Sequence, residues 1–145
     1  MLDVVVAASR VLVGIATRSL EATARDVTLP QCRALVTMAQ LGPSSLVALA
    51  DALRVNPSTA KRMCDRLIVK GLVDRVAAGG GLSLKLTRRG RDVVRRITEA
   101  RRQELRQVVD QLSDAERVEL VRCMEAFRRA GGEADERDWA LGWWE

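Results

Sequence analysis

The 145-residue chain predicts a mainly α fold, and three features of its apolar pattern carry that reading. Apolar residues recur at three- and four-residue steps through most of the chain, as they do in amphipathic helices. After Gly71 the period shortens to two, in a stretch broken by Gly79, Gly80 and Gly81. Just before that change, Leu49 to Val73 reads as two helices joined by a tight turn. Together these are the parts of a winged helix-turn-helix with a small two-stranded wing, flanked by N- and C-terminal helices that form a dimerisation bundle.

The first helix is long. Leu2, Val5, Val6, Ser9, Leu12, Val13, Ala16 and Leu20 keep a helical period that ends before Asp26. Thr28 starts the second helix, with Gln31 three residues on as its capping-box partner and Leu29, Cys32, Leu35, Val36 and Ala39 as its buried stripe. Gly42-Pro43 stops it, and Ser44 or Ser45 caps a third helix with Leu46, Leu49, Ala50 and Leu53 on one face. Asn56 then offers a side-chain oxygen to free amides and Pro57 a preset φ, so a fourth helix begins there.

In that fourth helix Ala60, Met63, Cys64, Leu67 and Ile68 form the apolar stripe, and Ser58, Lys61, Arg62, Asp65 and Arg66 fall opposite. Small hydroxyl residues in the first turn followed by Lys61-Arg62 suit docking in a DNA major groove, where amides and hydroxyls meet phosphates and arginine reads guanine edges. A helical hairpin with an ordinary solvated face is the competing reading of this stretch alone. The wing shifts the balance: Leu72 and Val73 lead one strand, Leu82, Leu84 and Leu86 alternate with Ser83 and Lys85 in the next, and Ala77 to Gly81 lie between as the tip.

Thr87 caps a long helix carrying Val94, Ile97, Leu105, Val108, Val109 and Leu112, interrupted by Arg101 and Arg102. Ser113 and Glu116 open a last helix in which Leu120, Val121, Met124 and Phe127 are expected to be buried, and Gly131-Gly132 ends it. The first and last helices hold more apolar surface than a small winged helix can cover, which predicts a homodimer presenting two recognition helices to a palindromic site. Packing of these helices within one monomer is the alternative. A single domain is expected, with a winged core over 28–92, dimerisation helices over 1–25 and 93–130, and a tail over 131–145. The tail holds Trp139, Trp143 and Trp144 among acidic residues and either docks on the protein or stays disordered.

The net charge is +5, and its distribution says more than its total. Ten Lys or Arg against two Asp between Arg54 and Arg91 give a local net of +8, so the remainder is acidic on balance. The positive charge gathers where the helix-turn-helix lies. Cys32, Cys64 and Cys123 match no metal or disulfide spacing, which predicts a reducing, cytoplasmic setting. All three sit on apolar stripes and are expected to be buried packing residues. There is no apolar run of about 18 residues to span a membrane.

Several stretches resemble the MarR family of bacterial transcriptional regulators: Thr28 to Leu35 its second helix, Leu49-Ala-Asp-Ala-Leu-Arg-Val-Asn-Pro-Ser-Thr59 its LAxxLxVxxST signature, Asp65 to Val73 its DRLxxxGLV, and Leu86-Thr-Arg-Arg-Gly90 the LTxxG at the wing's exit. The resemblance spans about Leu2 to Phe127. It implies a dimeric DNA-binding repressor or activator, often released by a small ligand or by thiol oxidation, with Pro57, Ser58, Thr59, Lys61 and Arg62 where the family's recognition helix touches DNA. Arg66 on the same helix, Arg75 and Lys85 on the wing strands, and Arg88 and Arg89 after the wing complete the expected DNA-binding set. One departure stands out. The family's wing carries an Asp-Arg pair whose arginine enters the minor groove, whereas this tip is Ala-Ala-Gly-Gly-Gly.

An enzyme is not expected, because the chain has no histidine and no glycine loop leading from a strand into a helix. No cofactor or metal is expected either. The rival is a winged-helix module that binds protein, or one that binds DNA with weak specificity for want of the wing arginine. A small-molecule effector would bind where the bundle meets the winged core.

Overall fold

The computed structural model describes residues 1–135, which fall into two compact units divided after Arg101. The expectation for Trp139, Trp143 and Trp144 lies outside the described residues. The first unit holds α1 (Leu2–Thr23), α2 (Leu29–Leu41), α3 (Leu46–Leu53), α4 (Pro57–Val69), β1 (Val73–Ala78), β2 (Gly81–Leu86) and most of α5 (Arg88–Val109). The end of α5 and α6 (Asp114–Ala130) make the second.

Helix starts fall where the capping chemistry places them. Thr28 and Gln31 form the reciprocal capping box of α2. Ser45, not Ser44, caps α3 by accepting from the Ala48 amide at 3.1 Å. Ser44 instead exchanges backbone hydrogen bonds of 3.1 and 2.8 Å with Leu84, which ties the loop after α2 to the wing. Asn56 Oδ1 accepts from the Thr59 amide at 2.8 Å and starts α4. Thr87 Oγ1 accepts from the Gly90 amide at 2.9 Å while donating to the Gly71 carbonyl at 2.8 Å, so one hydroxyl caps α5 and pins it to the end of α4.

The core of the first unit is continuous across its elements. Ile15, Leu35, Met38, Leu49, Leu67, Leu72, Val73, Val94 and Ile97 are all fully buried. Closure at the wing depends on Gly90. A Cβ there would stand 2.1 Å from the Leu72 carbonyl oxygen, so only glycine lets α5 approach the strand entry.

Several expectations need correction. The buried face of α2 is turned toward Gln31, Ala34, Leu35 and Met38, which leaves Leu29 exposed and Val36 and Ala39 half-buried. In α1 only the C-terminal half is covered, by way of Ile15, Ser19 and Leu20, while Leu2, Val5, Val6, Leu12 and Val13 are exposed. In α6 no residue is buried: Val121, Met124 and Phe127 are exposed and Leu120 is half-buried. The physical reason is the same at both ends, since no described residue covers these apolar faces. Cys123, on the flank of the α6 stripe, is exposed, against the expectation that all three cysteines pack inside.

The wing is also tighter than its glycines indicate. Ala77, Ala78 and Gly81 enter the strands, with Ala78 opposite Gly81, so the turn proper is only Gly79-Gly80. Both have positive φ, 56° and 84°, the geometry that a two-residue hairpin turn requires for the strand twist. Leu84 and Leu86 face the core, whereas Leu82 on the same side stands beyond it and is 69% exposed.

Candidate nucleic-acid interface

The core side of α4 is Ala60, Cys64 and Leu67, each at most 2% exposed, so the opposite side is fixed outward. Pro57, Ser58, Lys61, Arg62 and Arg66 are exposed there, and Thr59 is half-buried at the edge. Ser58 Oγ donates to Asn56 Oδ1 at 2.7 Å, which orders the first turn of the helix.

The cations of this surface divide into two groups. Asp65 accepts from Lys61 Nζ at 2.7 Å and from Arg75 on β1. Its carboxyl is held below the usual aspartate value of 3.8, first by the Lys61 hydrogen bond and then by the charges of Lys61 and Arg75. Lys61 and Arg75 are therefore engaged within the protein, and through Asp65 they join α4 to the base of the wing. Arg62, Arg66, Arg88 and Arg89 are exposed and form no ion pair among the described residues. Lys85 is exposed on β2 across from Asp74.

Arg88 and Arg89 open α5, where the positive end of the helix dipole disfavours cations. Two arginines beside free helix amides make a place for an anion. The wing tip offers none of this, because Ala77 to Gly81 present only backbone and two methyl groups.

Lys70 is a further contributor outside the expected DNA-binding set. From the C-terminus of α4 it donates to the Asp26 carbonyl and, at 3.2 Å, to Gln31 Oε1, which fastens α4 to the start of α2. No local signal announces a contact between residues 39 apart in the chain.

Away from this face, Ala16, Leu29, Pro30, Cys32, Val36 and Arg101 line a groove of about 430 Å³. Burial pushes the Cys32 thiol up, against the nearby Arg101 guanidinium, and burial also raises Cys64. Both thiols are thus held protonated, as packing residues are. Arg101 Nε is buried without an acceptor among the described residues.

Comparison with known proteins places this geometry. The family model described as "MarR family" matches residues 27–78. RV1404 from Mycobacterium tuberculosis is 44% identical, over 93% of this chain and 94% of that one, with a TM-score of 0.87. A MarR family protein from Bacillus stearothermophilus is 25% identical, over 91% of each chain, with a TM-score of 0.79. The oxidised form of MarR from E. coli shares the fold at 21% identity, with a TM-score of 0.74 over 88% of this chain and 93% of that one. No curated protein matches the sequence significantly.

Proposed function

The chain belongs to the MarR family of transcriptional regulators, and we propose that it works as a homodimer that binds a palindromic site on double-stranded DNA, as a repressor released by a small ligand. The observation that carries this reading is the outward face of α4. Arg62 and Arg66 stand there beside an ordered hydroxyl turn, and the one carboxylate among them, Asp65, is already neutralised by Lys61 and Arg75. DNA approaching this face meets unpaired guanidinium groups and no free negative charge.

The dimer reading is supported by the uncovered apolar residues of α1 and α6, since exposed Val6, Leu12, Met124 and Phe127 favour burial against a second copy. An effector is supported by the Cys32 groove, whose apolar wall and Arg101 suit a small apolar anion. Light scattering and anisotropy titrations on DNA selected from random sequence test the reading. A dimer, half-site centres about one helical turn apart and a steep fall of affinity with salt are expected. A monomer at micromolar concentration, or binding indifferent to salt, would overturn it.

The exposed Leu82 beside the uncharged wing tip favours a second reading, a surface for a protein partner. That mode gives no counterion-release slope, so the same salt series separates the two.

A further inference from the structure

We propose that the groove between the start of α2 and the edge of α4 seats one phosphodiester group of the DNA backbone, with Gln31, Thr59 and Arg66 as its donors. The inference rests on the DNA-binding reading and adds a contact on α2, outside the helix-turn-helix.

The groove holds about 330 Å³, and Thr28, Gln31, Thr59, Arg62 and Arg66 supply its polar lining with no carboxylate among them. Gln31 is 6% exposed, yet only one end of its carboxamide is satisfied. Oε1 accepts from the Thr28 amide at 3.1 Å and from Lys70 Nζ at 3.2 Å, while Nε2 finds no acceptor among the described residues. Two donors at Oε1 fix the orientation, because the flipped amide would set N–H groups against an amide and an ammonium. A buried side chain is thus locked with its free donor at the groove. Its Nε2 is not fully desolvated and reaches the solvent of the groove, where an acceptor supplied from outside can take its N–H groups in place of water.

The remaining features select an anion. The groove lies at the N-terminal end of the 13-residue α2, whose dipole favours negative charge. Arg62 and Arg66 add two positive charges without a carboxylate partner among the described residues. The groove is open and shares Arg62 with the outer face of α4, so a strand lying along that face brings its backbone into it. A duplex held by Arg62 at its base edges would be fixed in register by the phosphate clamped beside it.

Gln31→Glu tests this cleanly. Glutamate is the ordinary capping-box partner, so the Thr28 cap and the Lys70 contact are kept and the free amide becomes a carboxylate oxygen facing the phosphate. Unchanged thermal unfolding of the variant verifies the fold. Wild type, first shown to bind DNA with a salt-dependent affinity, is compared with the variant on duplexes bearing one neutral methylphosphonate at each backbone position in turn. We expect Gln31→Glu to weaken all sequences about ten- to a hundredfold, the worth of a hydrogen bond to a charged group. We further expect that neutralising one phosphate per half-site weakens wild type but restores the variant. Thr59→Val should show the same positional coupling with a smaller loss. Equal losses at every phosphate, or a Gln31→Glu variant that binds unmodified DNA as wild type does, would overturn the seat while leaving DNA binding itself intact. Saturable uptake of inorganic phosphate at sub-millimolar concentration without DNA, lost in Gln31→Glu, would overturn it in favour of a free phosphate ligand.

Discussion

Helices α4 and α6 carry the same kind of amphipathic pattern and meet different fates. The apolar stripe of α4 is buried by its own chain, through Ala60, Cys64 and Leu67, and this frees its polar face for a partner. The stripe of α6 has no buried residue, and its exposed Met124 and Phe127 are the part left for a partner. An apolar period therefore predicts that a face will be covered, not which molecule covers it. In α4 the hydrophobic effect holds the fold together, and in α6 the same effect is available for assembly.

The sharpest way to break this contrast is a matched pair of substitutions. Leu67→Ala should cost about 2–5 kcal/mol of unfolding free energy in a denaturant titration, because it opens a cavity in a closed core. Phe127→Glu should leave the far-ultraviolet helix signal in place and shift the dimer toward monomer in sedimentation, together with loss of binding to a two-fold site. If Phe127→Glu lowers the unfolding free energy but leaves the dimer intact, α6 belongs to the core of its own protomer and the contrast fails.

A second comparison divides labour within the DNA-facing surface. Arg62→Ala should cost about 1–3 kcal/mol on the preferred site and relax base preference there, since a guanidinium on the outer face of α4 is placed for base edges. Loss of Arg88 or Arg89 should weaken all sequences alike and lower the salt slope by about one unit each, as expected of phosphate contacts at a helix start. Titrations on a selected and a scrambled duplex at several salt concentrations distinguish the two behaviours. A uniform loss from Arg62→Ala would move it to the phosphate group.

The smallest effect concerns Asp65, which couples α4 to the wing. Its folded pKa is depressed by Lys61 and Arg75, so its contribution to stability is present above the ordinary aspartate value of 3.8 and is lost as pH falls through the lowered value. Asp65→Asn should accordingly flatten the acid limb of a melting-temperature profile. At neutral pH it releases Lys61 and Arg75, and affinity for scrambled DNA should rise. An acid limb identical to wild type would show that the carboxylate does not tie the wing.

Much of this protein was legible in its sequence, because the signals are local. Capping by Thr28, Asn56, Thr87 and Ser113 needs only a side-chain oxygen within reach of the next turn's amides, and the change of period after Gly71 follows from backbone geometry. The polar face of α4, with Arg62 and Arg66 outward, follows from helical spacing once Leu67 is inside. Tertiary structure decided the rest, where residues far apart in the chain compete for the same partner. It turned the buried side of α2 toward Gln31 and Met38, drew Lys61 and Arg75 onto Asp65, required glycine at position 90 against the Leu72 carbonyl, and brought Lys70 to Gln31. Periodicity names the face of a helix, but which charges remain free on it depends on neighbours that only folding brings within hydrogen-bonding distance.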